Sequence, residues 1–173
     1  MGTPAAAITD DEPAVPAGSS NPGPCWGRDR GVFTGEYRHS VDEKGRLAVP
    51  ARFRAQLAGG AVVSRWIDGC LAIHTRAGWD ALDARVSGLA ITDSAARLFQ
   101  RQIFAGAFEA EVDRQGRILL PSYLREEAGL AAEAVVVGVR DHAEIWSPDR
   151  WADYRRPMTD PQAFADAIAG LGI

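Results

Sequence analysis

The sequence predicts a mixed α+β fold made from two copies of one module, each a set of short strands with helices at its flanks. Three observations carry that expectation. First, Asp42-Glu43-Lys44-Gly45-Arg46-Leu47-Ala48-Val49-Pro50 reads D-x-x-G-R, three apolar residues, then Pro, and Asp113-Arg114-Gln115-Gly116-Arg117-Ile118-Leu119-Leu120-Pro121 repeats it with all four marked residues in register, 71 positions on. A self-match at fixed spacing is the mark of a repeat, and two copies imply a duplicated module rather than a solenoid. Second, the match continues beyond the block at an offset of 72, where Ile73-His74-Thr75 meets Ile145-Trp146-Ser147 and Trp79 meets Trp151. Third, each block is preceded by period-two alternation and followed by helical spacing.

Taken in order, residues 1–31 hold Pro4, Pro13, Pro16, Pro22 and Pro24 among Ala, Gly and acidic residues, the composition of a disordered tail. From Glu36 to Asp42 the residues alternate, with Tyr37, His39 and Val41 on one side. Asp42 to Gly45 supplies turn chemistry, Arg46 to Val49 resumes a strand, and Pro50 suits the first position of a helix carrying Phe53 and Leu57. Ala61–Ile67 and Cys70–Thr75 flank Asp68-Gly69, a two-residue hairpin signal. These elements make module 1, residues 36–78.

Residues 79–106 form a helical linker. Thr75 caps a helix with Trp79, Leu82, Val86 and Leu89 in one stripe; Thr92 or Asp93 caps a second with Ala95, Leu98, Phe99, Gln102 and Ile103 near one face, suited to core packing or self-association. Module 2, residues 107–150, follows the same order. Phe108, Ala110 and Val112 alternate with acids, Pro121 opens a helix that Gly129 ends, and Glu133–Val139 pairs with Ala143–Trp146. Residues 151–173 are a C-terminal helix and tail, with Trp151 and Tyr154 after Ser147-Pro148 and a last short helix from Asp160-Pro161.

At 173 residues the chain can bury a real core, and 46% hydrophobic with 24% charged residues is globular. A net charge of −4 gives no global basic field, so any nucleic-acid contact must come from local charge. Two cysteines, Cys25 and Cys70, without C-x-x-C spacing, fit a reduced, cytoplasmic setting and no disulfide framework. No secretory signal or membrane-spanning run is legible. Enzyme chemistry is not indicated: His39, His74 and His142 fall on separate strands or turns, the cysteines lack metal-ligand spacing, and there is neither a G-x-S-x-G elbow nor a P-loop. No catalytic residue, metal, cofactor or small-molecule ligand is expected.

The two D-x-x-G-R-x-x-x-P blocks resemble the SpoVT-AbrB domain, a swapped-hairpin DNA-binding module. Their tandem arrangement around a helical linker resembles the MraZ family of bacterial transcriptional regulators. Phe33-Thr34-Gly35-Glu36, Asp68-Gly69-Cys70-Leu71, Arg125-Glu126-Glu127-Ala128-Gly129-Leu130 and Glu144-Ile145-Trp146 also fit that family, so the resemblance covers about residues 32 to 156. It implies a pseudo-dimeric swapped-hairpin fold, AbrB-like, with a double-split β-barrel and flanking helices. It further implies a ring-like homo-oligomer, double-stranded DNA as partner, no membrane, nucleoid association, and action on repeated promoter elements of the division and cell-wall gene cluster. The alternative reading is an oligomeric interaction scaffold, or an antitoxin-like partner-binding protein, with weak DNA affinity.

Within the blocks, Asp42, Gly45, Pro50, Asp113, Gly116 and Pro121 read as the framework of the hairpin. The candidate DNA contacts are Arg46, Lys44, Arg38, Arg52 and Arg54 in the first copy and Arg117 and Arg114 in the second, because a guanidinium pairs bidentately with phosphate or guanine. An ion pair between Arg46 and Asp42 across the turn is the competing role for that arginine. Phosphate contact dominates affinity, and the copies differ in charge. From Phe33 to Leu57 five basic residues face three acidic ones; from Phe104 to Leu130 three face five. The first copy is therefore expected to be the main DNA surface.

Overall fold

In a computed structural model the described residues are 31–172; the tail expected over residues 1–31 lies outside them apart from Gly31, as does Cys25. The first strand, β1 (Phe33–Ser40), starts three residues before the expected module boundary and keeps the expected alternation. Phe33 and Tyr37 meet Phe53 edge-on at 5.0 and 5.3 Å, so this side of the strand faces the core. After the turn come β2 (Arg46–Ala48) and α1 (Ala51–Leu57). Pro50 stands one place ahead of its expected position, as the residue that caps the helix, and Pro121 does the same for α4 (Ser122–Ala128).

Strands β3 (Ala61–Arg65) and β4 (Leu71–Thr75) form a hairpin. Its turn is a residue longer than Asp68-Gly69 implied. Ile67–Gly69 forms the loop, with Asp68 at φ 64° and Gly69 at φ 80°, closed by the Trp66 amide donating to the Cys70 carbonyl. Helices α2 (Arg76–Ser87) and α3 (Ser94–Phe104) follow. Thr75 caps the first through the Gly78 amide, and Asp93 rather than Thr92 caps the second through Ala95. The second module repeats the order with β5 (Phe108–Ala110), β6 (Arg117–Leu119), α4, β7 (Glu133–Arg140) and β8 (His142–Trp146), then α5 (Pro148–Tyr154), α6 (Arg156–Thr159) and α7 (Pro161–Ile168).

The strands are exchanged between the copies. All pairings are antiparallel, in a six-stranded sheet of order β1-β7-β8-β4-β3-β5 and a two-stranded ribbon of β2 with β6. Each copy thus lends its first strand to the other copy's third: β1 to β7 and β5 to β3. Equivalent residues meet where the halves join. Leu47 lies opposite Ile118 in the ribbon, and Ala72 opposite Glu144 in the sheet. Two backbone bonds are reciprocal, from the Val49 amide to the Gly116 carbonyl (2.9 Å) and from Leu120 to Gly45 (2.8 Å). Neither module can close its hydrogen bonds alone.

The step in offset from 71 to 72 has a structural origin. Between helix and third strand the second copy is two residues longer, since His39 pairs with Ala134 while its counterpart Ala110 pairs with Ala61. The hairpin that follows is one residue shorter, Arg140-Asp141 replacing Ile67–Gly69.

Leu47, Val49, Phe53, Leu57, Ile118, Leu120 and Leu124 fill one side of the sheet, against Val63, Ile73, Val136 and Ile145. Each such side chain contributes about 1.5–3 kcal/mol on burial. Alternate residues of the same strands serve the other face, where Cys70, Val135, Trp146 and Trp151 cluster and where Leu82, Val86 and Ile103 lie. The α2 stripe stops short of Leu89, which is 43% exposed beyond the helix end. In α3 the face is rotated from expectation. Ala96 and Ile103 are buried, whereas Ala95, Leu98 and Gln102 point to solvent.

Two histidines that the sequence separates come together on this second face. His74 on β4 and His142 on β8 are buried and stacked at 5.0 Å, with Trp66 against both rings and Trp79 against His74. Burial first, and then the neighbouring His142, push the His74 imidazole down to about 4. Burial also opposes charge on His142, but Glu144 and Asp141, whose carboxylate lies 2.7 Å from Nδ1, outweigh it and raise its pKa. Unfolded, both titrate near 6.5. His74 therefore withdraws stability as pH falls from about 6.5 to about 4, while the His142 contribution is complete below 6.5 and fades as pH climbs through its raised value. Thermal unfolding from pH 4 to 8 should peak near pH 6.5. His74→Phe should flatten the acid side, worth up to about 3 kcal/mol; an unchanged acid side would exclude His74 as its source.

Candidate nucleic-acid interface

The D-x-x-G-R turns are built by their aspartates. In the first, the Asp42 carbonyl accepts from the Gly45 amide at 2.8 Å, and its Oδ1 accepts from the amides of Lys44 (3.0 Å) and Arg46 (2.9 Å). In the second, the Asp113 carbonyl accepts from Gly116 and its Oδ1 from Gln115 and Arg117, each at 2.9 Å. One carboxylate oxygen of each aspartate is taken by backbone donors, which is why the block needs Asp three residues before Gly. The bond from the Arg46 amide, followed by that from Lys44 and the charge of Arg117, lowers the Asp42 pKa. Asp113 is lowered first by the Arg117 amide and then by the Arg117 side chain.

Around these matched turns the two arginines have taken different posts. Arg117 donates to Asp113 Oδ2 from Nε (3.0 Å) and from Nη2 (2.9 Å), and its Nη1 reaches Asp42 Oδ2 at 3.3 Å. It ties the two turns together. Among the described residues no carboxylate stands within ion-pair distance of the Arg46 guanidinium. The Arg46–Asp42 pair across the first turn, the competing role for Arg46, is not formed; the counterpart pair forms in the second copy.

A cleft of about 350 Å³ opens between the turns, walled by Lys44, Arg46, Glu111, Val112, Asp113, Arg117 and Leu119. It gathers three of the candidate cations, Lys44, Arg46 and Arg117, beside two acids. Lys44 is exposed at the turn, and Arg46 is half-buried at its base. Arg38 on β1, Arg52 on α1 and Arg114 at the tip of the second turn are exposed and outside the cleft walls. Arg54 is exposed too but engaged, its Nε donating to the Val49 carbonyl at 2.9 Å while the side chain lies against Gly116.

Two contributors escaped the sequence reading. Arg125, the counterpart of Arg54, donates to the Leu120 carbonyl at 3.1 Å and lies against Gly45. Each helix α1 and α4 thus presses an arginine onto the other copy's turn. The signal was present as an Arg eight residues after the motif arginine in both copies, but which turn it would cover depends on the strand exchange. Glu111 enters the wall of the cleft from the second copy, two residues before Asp113.

Among the described residues, no helix is long and apolar enough to cross a membrane. Comparison with known proteins finds one family model matching twice in tandem, over residues 32–102 and 103–167, with the description "MraZ protein, putative antitoxin-like". The chain is 52% identical over 121 residues to a Thermomicrobium roseum protein named Transcriptional regulator MraZ, covering 70% of this chain and 85% of that one. A protein of the same name from Moorella thermoacetica is 46% identical over 143 residues, covering 82% and 100%. Another from Roseiflexus castenholzii is 46% identical over 141 residues, covering 81% and 99%. These names describe a regulatory and not an enzymatic role.

Proposed function

The chain belongs to the MraZ family, and from that premise we propose that it is a sequence-specific DNA-binding transcriptional regulator of swapped-hairpin, AbrB-like build. The observation that carries the reading is the unequal state of the two motif arginines. Among the described residues Arg46 has no carboxylate partner and, with Lys44, lines the cleft between the turns, whereas Arg117 is held by two aspartates. A guanidinium without a partner can form a bidentate bond to phosphate or guanine without first breaking an ion pair.

The first turn is the principal contact, with Arg46 at a base edge or phosphate and Lys44 on the backbone. Arg38, Arg52 and Arg114 add peripheral phosphate contacts, Arg117 a secondary one, and Arg54 acts chiefly by supporting the second turn. One cleft with three cations and two acids is a weak DNA ligand. Several copies in a ring-like homo-oligomer on tandem sites raise the effective concentration of each further contact. Repeated promoter elements of the division and cell-wall gene cluster fit that requirement, and the site of action is the cytoplasmic nucleoid.

Fluorescence anisotropy with DNA from upstream of the gene, over a series of salt concentrations, tests this. Binding should be tighter than to a scrambled duplex, with log K falling linearly in log salt. Equal affinity for both duplexes would sink the proposal. The charge argument makes a further prediction. Gln115 stands where the first turn has Lys44, so Gln115→Lys should tighten binding several-fold at low salt and steepen the salt slope by about one per engaged module. An unchanged slope would mean that the second turn stays clear of the phosphates.

A further inference from the structure

In the β2–β6 ribbon, Leu47 and Ile118 lie opposite one another and turn wholly inward, each at 0% exposure. Side chains alternate across a strand, so the four other paired residues share the outward face: Arg46 opposite Leu119, and Ala48 opposite Arg117. Arg46, Arg117 and Leu119 all wall the cleft between the turns. Leu119 is 45% exposed there, a large apolar side chain beside two guanidiniums. Ala48 stands 71 positions earlier, at the matched place in the first copy. The ribbon thus sets a leucine beside Arg46, which has no carboxylate partner among the described residues, and only an alanine beside Arg117, which two aspartates hold.

A single exposed leucine needs no explanation by itself. Its neighbour supplies one here. Directly opposite residues of an antiparallel pair hold their Cβ atoms about 4.5–5.5 Å apart, so a surface that meets Arg46 also meets Leu119. A two-stranded ribbon is of a size that the DNA major groove admits. The floor of that groove offers hydrogen-bond donors and acceptors at every base pair and one apolar group, the methyl of thymine. A donor or acceptor pressed against Leu119 would lose its water and gain no partner, whereas the methyl group gains apolar contact. Val112, half-buried, is the other apolar residue of the cleft wall.

We propose that Leu119 is a specificity-determining residue that reads thymine through its methyl group, at the base pair beside the one that Arg46 contacts. Ala48 is too short to do the same beside Arg117, so each copy of the chain recognises an asymmetric element. The proposal rests on the DNA-binding reading put forward above and adds a requirement on base sequence, which contacts to phosphate do not carry.

The test is fluorescence anisotropy with the full chain and DNA from upstream of its gene, in which thymines are replaced one at a time by deoxyuracil. The replacement removes the methyl group alone and keeps the base pair. One thymine in each repeat should prove sensitive, its replacement weakening binding about fourfold per engaged module. Leu119→Ala should bind the unmodified duplex about as weakly as wild type binds the replaced one, and should no longer distinguish the two. Its salt slope should match that of wild type, because leucine contributes no charge. Leu119→Met, which keeps the apolar reach, should retain most of the discrimination. Specific binding that ignores every replacement would overturn the thymine contact and leave the DNA-binding reading standing. A sensitivity that persists undiminished in Leu119→Ala would also overturn the contact, since the methyl group would then lie against another residue. A wild type that binds the upstream duplex no better than a scrambled one would overturn both.

Discussion

Arg46→Ala is expected to reduce specific DNA binding by about three orders of magnitude, and Arg117→Ala by no more than about tenfold. A bidentate guanidinium contact is worth about 1–3 kcal/mol, so one module loses about 30-fold. When two modules of one oligomer are engaged the losses multiply, which brings the total to about a thousandfold. Arg117 begins from a different state. Its guanidinium is 2.9 and 3.0 Å from Asp113 and 3.3 Å from Asp42, so any contact it made with DNA would break those bonds, and its removal mainly loosens one turn against the other. Salt dependence separates the roles. Arg46→Ala should lower the slope of log K against log salt by about one per engaged module, and Arg117→Ala should lower it by less. Equal losses from the two variants would refute the asymmetry. Full binding by Arg46→Ala would refute the site.

The repeat made much of this fold legible, because the block specifies its own turn. Asp must accept from the backbone amides of the two residues that matter, and Asp42 and Asp113 both do. Helix α1 and strands β3 and β4 were likewise local matters of spacing. What the sequence does not contain is the identity of each strand's partner. The alternation in β1 reports one buried side and is satisfied equally by its own module or by β7. The exchange decides which turn each helix arginine covers, and so sets Arg125 against Gly45 of the other copy. The α3 face was misjudged for a related reason. Periodicity finds apolar residues on a helix, but Leu98 and Ile103 are both apolar and only the position of the sheet selects Ile103 for burial.

Gly45→Ala should be the most damaging small substitution in the first block, lowering stability by about 3 kcal/mol, or about 10 °C of Tm for a chain of this size. Gly45 has φ 78°, in the left-handed region, where a Cβ costs about 1–2 kcal/mol. A Cβ there would also stand 2.9 Å from the Leu120 carbonyl oxygen and 2.7 Å from Arg125 Nε. The arginine can swing aside, but the carbonyl is backbone. The amide of that same Leu120 donates to the Gly45 carbonyl, so moving away loosens one of the two reciprocal bonds between the copies, worth about 1 kcal/mol. Gly60 isolates the first of these contributions. Its φ is 97° and nothing lies within 4 Å of a Cβ built there, so Gly60→Ala should cost only the left-handed strain, about 1–2 kcal/mol. Thermal unfolding of both variants against wild type measures the difference, which is the share owed to contact between the copies. If Gly45→Ala were no worse than Gly60→Ala, the close approach of the first turn to Leu120 would carry no stability. The matched Asp, Gly and Pro would then serve each turn separately instead of joining the two halves into one fold.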